Sequence, residues 1–130
     1  MDPCESADTR ASELLRCMLP EGQWAQFSET GILEVPGSRG TYRICVRDLT
    51  RVVDSHSGRP FASACLQLSV PAPVQDRIIA EYVLIRNDED LYWRTANIFP
   101  AGLDNRALVV FLAALLNVML LATLIVQLGK

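Results

Sequence analysis

Cys65, His56 and an acid at Asp54 or Asp76 are the residue types of a cysteine hydrolase, in which a thiolate attacks, an imidazole takes the proton and a carboxylate orients the ring. Their positions favour a plainer reading. Cys65 falls mid-strand in an alternating stretch, His56 falls in a polar turn, and the thiol does not open a helix beside a base, where it would be acidified. Cys45, Cys65, His56 and an acid also offer the donors of a zinc site. The four cysteines (Cys4, Cys17, Cys45, Cys65) contain no CxxC pair, however, and structural zinc sites use close ligand pairs. No catalytic residue, metal or cofactor is expected.

Two further constellations carry chemistry. The loop Pro36-Gly37-Ser38-Arg39-Gly40 has glycines and a base, types that can present backbone amides to a phosphate. It lacks the Lys-Ser/Thr ending of a P-loop and the GxGxxG pattern, and it leads into a strand, so a hairpin connection is expected. Arg43, Arg47, Arg51 and Arg59 are concentrated in the strand region and make a candidate partner-binding face. Their plainer role is to solvate the open side of a sheet.

The strongest signal lies at the C-terminal end, where Ala107 to Leu128 is 22 residues without a charge, interrupted only by Asn117, Thr123 and Gln127. At about 1.5 Å per residue this helix reaches roughly 33 Å, enough for a hydrocarbon core of about 30 Å. Arg106, Val110, Ala113, Asn117, Leu120, Leu124 and Gln127 follow a 4,3,4,3 spacing, which puts Ala113, Asn117 and Gln127 on one seam suited to self-association or to pairing with another membrane protein. A monomeric anchor that tolerates one central Asn is the alternative. The N-terminal segment MDPCESADTR lacks the basic start and apolar run of a secretory signal, and Arg94 and Arg106 flank the helix on the domain side against Lys130 beyond it. A tail-anchored topology is expected, with a cytoplasmic N-terminal domain at the inner (cytoplasmic) membrane.

Eleven of the twelve basic residues and all fifteen acids fall in residues 1 to 106, a formal charge of −4. That balance argues against nucleic acid as a partner. About 106 residues suffice for one modest core.

These features require elements that position them. Residues 1–8 read as a disordered lead-in, 9–98 as a small α+β domain, 99–106 as a linker and 107–128 as the transmembrane helix. Within the domain, Ala11, Leu14, Leu15 and Met18 recur at helical spacing, and a second helix runs from Pro20 to Gly31 with Trp24 and Phe27 as core pegs. Ile32 to Val35, Thr41 to Arg47, Thr50 to Asp54 and Phe61 to Leu68 form a short antiparallel β-meander joined by Gly-bearing turns. Val74 to Arg86 is a helix with Val74, Ile78, Tyr82 and Ile85 on one stripe. Asn87 is the expected N-cap of a last short helix, whose Asp88, Glu89 and Asp90 complement the helix dipole and whose Leu91, Tyr92 and Thr95 pack on the sheet. The linker reaches about 17 Å as a coil and roughly 30 Å stretched, so the domain stays close to lipid.

Trp24, Phe27, the Gly37 to Ile44 loop and strand, Cys65 and the run PVQDRIIAEYVLIRNDEDLYWRTAN (Pro73 to Asn97) together resemble a small module of uncharacterised bacterial and phage proteins over residues 20–98. The resemblance implies a compact α+β unit of bacterial origin and transfers no catalytic or binding residue. The function expected is a membrane-tethered, non-enzymatic protein-interaction module. A small-ligand sensor or a Cys/His-dependent enzyme at the membrane surface is the alternative.

Overall fold

Helix α1, Pro3–Met18, begins in the polar stretch that was expected to be a lead-in, and it buries Ala11 and Leu15 while Leu14 points outward. Residues 3 to 8 carry no apolar spacing, so their helicity is invisible to a periodicity argument. Arg10 supports this start by donating from Nε to the Ser6 carbonyl at 3.1 Å. The computed structural model describes residues 3–101 and 105–129.

Helix α2, Glu21–Thr30, has Pro20 as its N-cap and ends where Gly31 takes a left-handed conformation at φ 71°, its amide donating to the Phe27 carbonyl. A residue with a Cβ is strained at that φ, which is why Gly terminates this helix. Phe27 is buried and Trp24 packs beside it with ring centroids 6.0 Å apart.

Strands β1 (Ile32–Pro36), β2 (Thr41–Cys45), β3 (Thr50–Val53) and β4 (Pro60–Cys65) form the expected antiparallel meander. A fifth strand, β5 (Asn97–Pro100), completes an antiparallel sheet of order β1-β2-β3-β4-β5. It occupies the start of the expected linker, and its residues Asn-Ile-Phe-Pro give no alternating signal long enough to read. Register pairs Leu33 with Ile44, Val35 with Tyr42, and Tyr42 with Val52, so these side chains share the core face with Ala62, Ala64 and the partly buried Ile98.

Helix α3 (Val74–Asn87) covers that face by burying Ile78, Tyr82 and Ile85 against β1 and β2; Val74, expected on the same stripe, is exposed. Helix α4 (Glu89–Thr95) turns back beside α3 and buries Tyr92, with Tyr92 and Tyr42 edge-on at 5.6 Å. Leu91 and Thr95, expected on the sheet, face outward, and Tyr92 with the half-buried Trp93 does the packing. The N-cap of α4 is Asp88, not Asn87: the Asp88 carboxylate accepts from the Leu91 amide at 2.9 Å, while Asn87 closes α3. One residue decides this, because an N-cap accepts from N2 or N3 and Leu91 is N3 of Asp88.

Helix α5, Asn105–Leu128, forms a unit of its own with residues from Pro100 onward. Val110–Leu128 within it is 19 residues of mean hydropathy 2.3, and none of that window is buried. An uncovered apolar helix of this length needs a lipid or protein environment, since water would wet its whole circumference. The expected linker residues 102–104 lie outside the described part.

Candidate functional site

The hydrolase and zinc residues are not brought together. His56 sits in the β3–β4 turn at the start of β4, and Cys65 ends the same strand, about 17 Å away at the rise of an extended chain. Asp54 is occupied in that turn: it accepts from the amides of His56 at 3.0 Å and Ser57 at 2.7 Å and from the Ser57 hydroxyl at 2.9 Å, which together lower its pKa. Asp76 lies in the first turn of α3. Among the described residues no group of three or more His, Cys, Asp or Glu could hold a metal ion.

The loop that could present amides to a phosphate instead presents them to Glu89. Its carboxylate accepts from the Ser38 amide at 2.8 Å, the Arg39 amide at 3.1 Å, the Ser38 hydroxyl and the Tyr42 hydroxyl. Trp93 Nε1 donates to the same Tyr42 oxygen, Arg39 pairs with Asp90 at 2.8 Å, and the Arg39 guanidinium lies 4.9 Å from the Trp93 ring centroid. Burial alone would raise the Glu89 pKa; the hydrogen bonds from Ser38, Tyr42 and Arg39 outweigh it and bring the group to about 2. Gly37 makes room for this docking, because a Cβ there would lie 2.6 Å from both Glu89 Oε1 and Tyr42 Cε2. The acidic triplet thus does more than complement a dipole: Asp88 caps α4, Glu89 fills the loop and Asp90 holds Arg39.

A second polar cluster lies at the opposite end of β2 and β3. Glu81, wholly buried on α3, accepts from the Thr50 hydroxyl and pairs with Arg77 at 3.2 Å. Arg77 also donates to the Cys45 carbonyl at 2.6 Å. Burial raises the Glu81 pKa, opposed by Thr50, Arg77 and the Leu66 amide. The Tyr92 hydroxyl is also buried, which raises its pKa, and it faces the Thr50 hydroxyl. Arg77 lines an open cleft of about 360 Å³ with Val46, Arg47, Asp48, Leu49, Ala64 and Cys65. Burial also raises the Cys45 thiol, the opposite of the shift a nucleophile needs.

Of the four arginines, two share a face. Arg43 and Arg51 are register partners on the side of the sheet away from the core, and each has a carboxylate: Arg43 with Glu34 at 2.9 Å and Arg51 with Asp48 at 3.3 Å. Arg47 lies in the β2–β3 turn and Arg59 in the β3–β4 turn, at opposite ends of the sheet. In α5, Asn117 donates to the Ala113 carbonyl at 3.0 Å, leaving its own oxygen unpaired among the described residues. Thr123 is also satisfied within its helix, by the Leu120 carbonyl at 2.8 Å.

Sequence reasoning missed Glu81 and the role of Glu89. Glu81 was legible in principle: it lies three residues after Ile78 and four before Ile85, inside the buried stripe. Glu89 was not, because its partner Ser38 is 51 residues away. No family model, curated protein or solved structure matches the chain. The arrangement gives a domain whose Glu81, Glu89 and Asp90 are engaged internally, an open sheet face and an apolar helix that water cannot cover.

Proposed function

We propose that this chain is a single-pass membrane protein whose α+β domain is a non-enzymatic protein-interaction module, held in the cytoplasm against the inner (cytoplasmic) membrane. The uncovered helix Val110–Leu128 carries the reading, since nothing in a soluble setting would compensate 19 exposed apolar residues. The bias of Arg94 and Arg106 over Lys130 supports the orientation. Partners are membrane lipid, a protein on the open sheet face that carries Arg43 and Arg51, and a second helix along Ala113, Asn117 and Gln127; nucleic acid is disfavoured by the acidic domain. The separation of Cys65 from His56 argues for binding over catalysis.

Fractionation tests this. The full chain is expected to stay with membranes through carbonate extraction, and residues 1–106 to be soluble. Cys65→Ser and His56→Ala should leave the cellular phenotype intact while deletion of 107–130 abolishes it. A full chain in the soluble fraction would refute the anchor; the reverse mutational pattern would favour an enzyme or ligand sensor.

A further inference from the structure

The end of the sheet from which the chain leaves for α5 has a surface chemistry of its own. Strand β5 runs antiparallel to β4, so Phe99 and Pro100 finish at the end where β4 begins, beside the β3–β4 turn. Four residues, 101 to 104, then join β5 to α5, and the five Cα steps from Pro100 to Asn105 bound the separation of those two points at about 18 Å. Phe61, at the bulge where β4 meets Val53, and Phe99 lie on this part of the sheet, each exposed beside a neighbour, Ala62 or Ile98, that packs in the core. They are 42% and 48% exposed.

Among the described residues, the acids near this end are engaged. Asp54 is held by the turn amides, Glu89 by the Ser38 and Arg39 amides, Asp90 by Arg39, and Asp88 by the Leu91 amide. Arg59, exposed in the turn, forms no salt bridge among the described residues. What the described residues leave outward is two aromatic side chains, with the exposed Arg59 two positions before Phe61 in the chain, types that suit the boundary between headgroups and acyl chains.

We propose that Phe61 and Phe99, with Arg59, seat this end of the domain in the interface of the membrane that α5 enters. Two half-exposed rings would not hold a free domain to lipid. A tether of four residues makes the contact intramolecular, and a weak contact then suffices. The inference rests on the anchoring reading above and adds which surface meets the bilayer. Lipid is favoured over a protein occupant because the tether joins this end of the domain directly to the helix that enters the membrane.

The test uses the full chain in nanodiscs of phosphatidylcholine and phosphatidylglycerol, with lipids brominated along the acyl chain as quenchers. Phe61→Trp and Phe99→Trp are made singly, the native Trp24 and Trp93 emission is subtracted, and Leu120→Trp reports insertion of the helix. The emission added at 61 and at 99 should shift to the blue and be lost to quenchers brominated near the headgroup, while Leu120→Trp responds to quenchers deep in the bilayer. Quenching at 120 with none at 61 and 99 overturns the proposal and leaves the anchor standing. No quenching at 120 removes the anchor, and the proposal with it.

Discussion

Replacing Glu89 by Gln should destabilise the domain by about 2 kcal/mol at pH 7 and by almost nothing near pH 2. The geometry sets the first figure. Two donors meet each oxygen of the Glu89 carboxylate: Tyr42 and the Arg39 amide on Oε1, the Ser38 amide and hydroxyl on Oε2. Gln keeps one acceptor oxygen, so one pair of donors faces an amino group, at a cost of about 1.5–3 kcal/mol for hydrogen bonds to a charged partner. The titration gives an independent figure. A fall from the ordinary value of 4.5 to about 2 corresponds to roughly 3 kcal/mol, and solvent screening of this half-exposed group reduces that to about 2 kcal/mol. Because the folded pKa is depressed, the stabilisation is complete above 4.5 and is lost as pH falls towards 2, where the wild-type group protonates in both states. Urea unfolding of residues 1–106, followed by Trp93 emission, measures it; the wild type should approach the variant between pH 4.5 and 2 with an unchanged m-value. A gap that is absent at pH 7, or that stays constant with pH, would refute the carboxylate nest as a source of stability.

Gly37→Ala should cost about 2 kcal/mol in the same urea assay, since its Cβ overlaps Glu89 and Tyr42, and distinctly less in the Glu89→Gln background, where the docking is already weakened. Glu81→Ala should cost about 3 kcal/mol by stranding Arg77, which is four-fifths buried, and the double change Glu81→Leu with Arg77→Met should restore most of it. In a detergent or bilayer association assay of the isolated helix, Asn117→Leu should weaken self-association by about 1 kcal/mol; unchanged association would remove the seam.

What the sequence disclosed and what it hid divide along physical lines. The Ile78, Tyr82, Ile85 stripe, the Gly31 helix stop, the alternation of Tyr42 and Ile44 and the apolar run of α5 are local periodicities, and each stands in the structure where it was expected. The α1 start, strand β5 and the outward Leu91 and Thr95 follow no periodic pattern. A polar helix turn, a four-residue strand and a seven-residue helix are each too short to carry a pattern, and tertiary contact decides them. The two carboxylate clusters were hidden for a different reason. A glutamate in an amphipathic helix is ordinarily solvated, and only the arrival of Thr50 or the Ser38 loop from distant sequence turns Glu81 and Glu89 inward.

Those two clusters have a common mechanical result. Glu89 ties the β1–β2 loop and Tyr42 to α4 at one end of the sheet, and Glu81 with Arg77 ties Thr50 and the Cys45 carbonyl to α3 at the other. Strands β2 and β3 are thereby fixed to the helical layer at both ends, while their other face carries no helix. Along the edge strand, Gln23 Nε2 donates to the Glu34 carbonyl at 3.1 Å and occupies a backbone acceptor that a further strand would use. Growth of the sheet at β1 is thus opposed, and under the proposed binding role a partner would meet the open face, where Arg43 and Arg51 stand on a backbone already ordered. Binding to such a face spends little on ordering the protein, so modest side-chain chemistry suffices for recognition. That economy would suit the proposed module, whose local concentration the apolar helix would set.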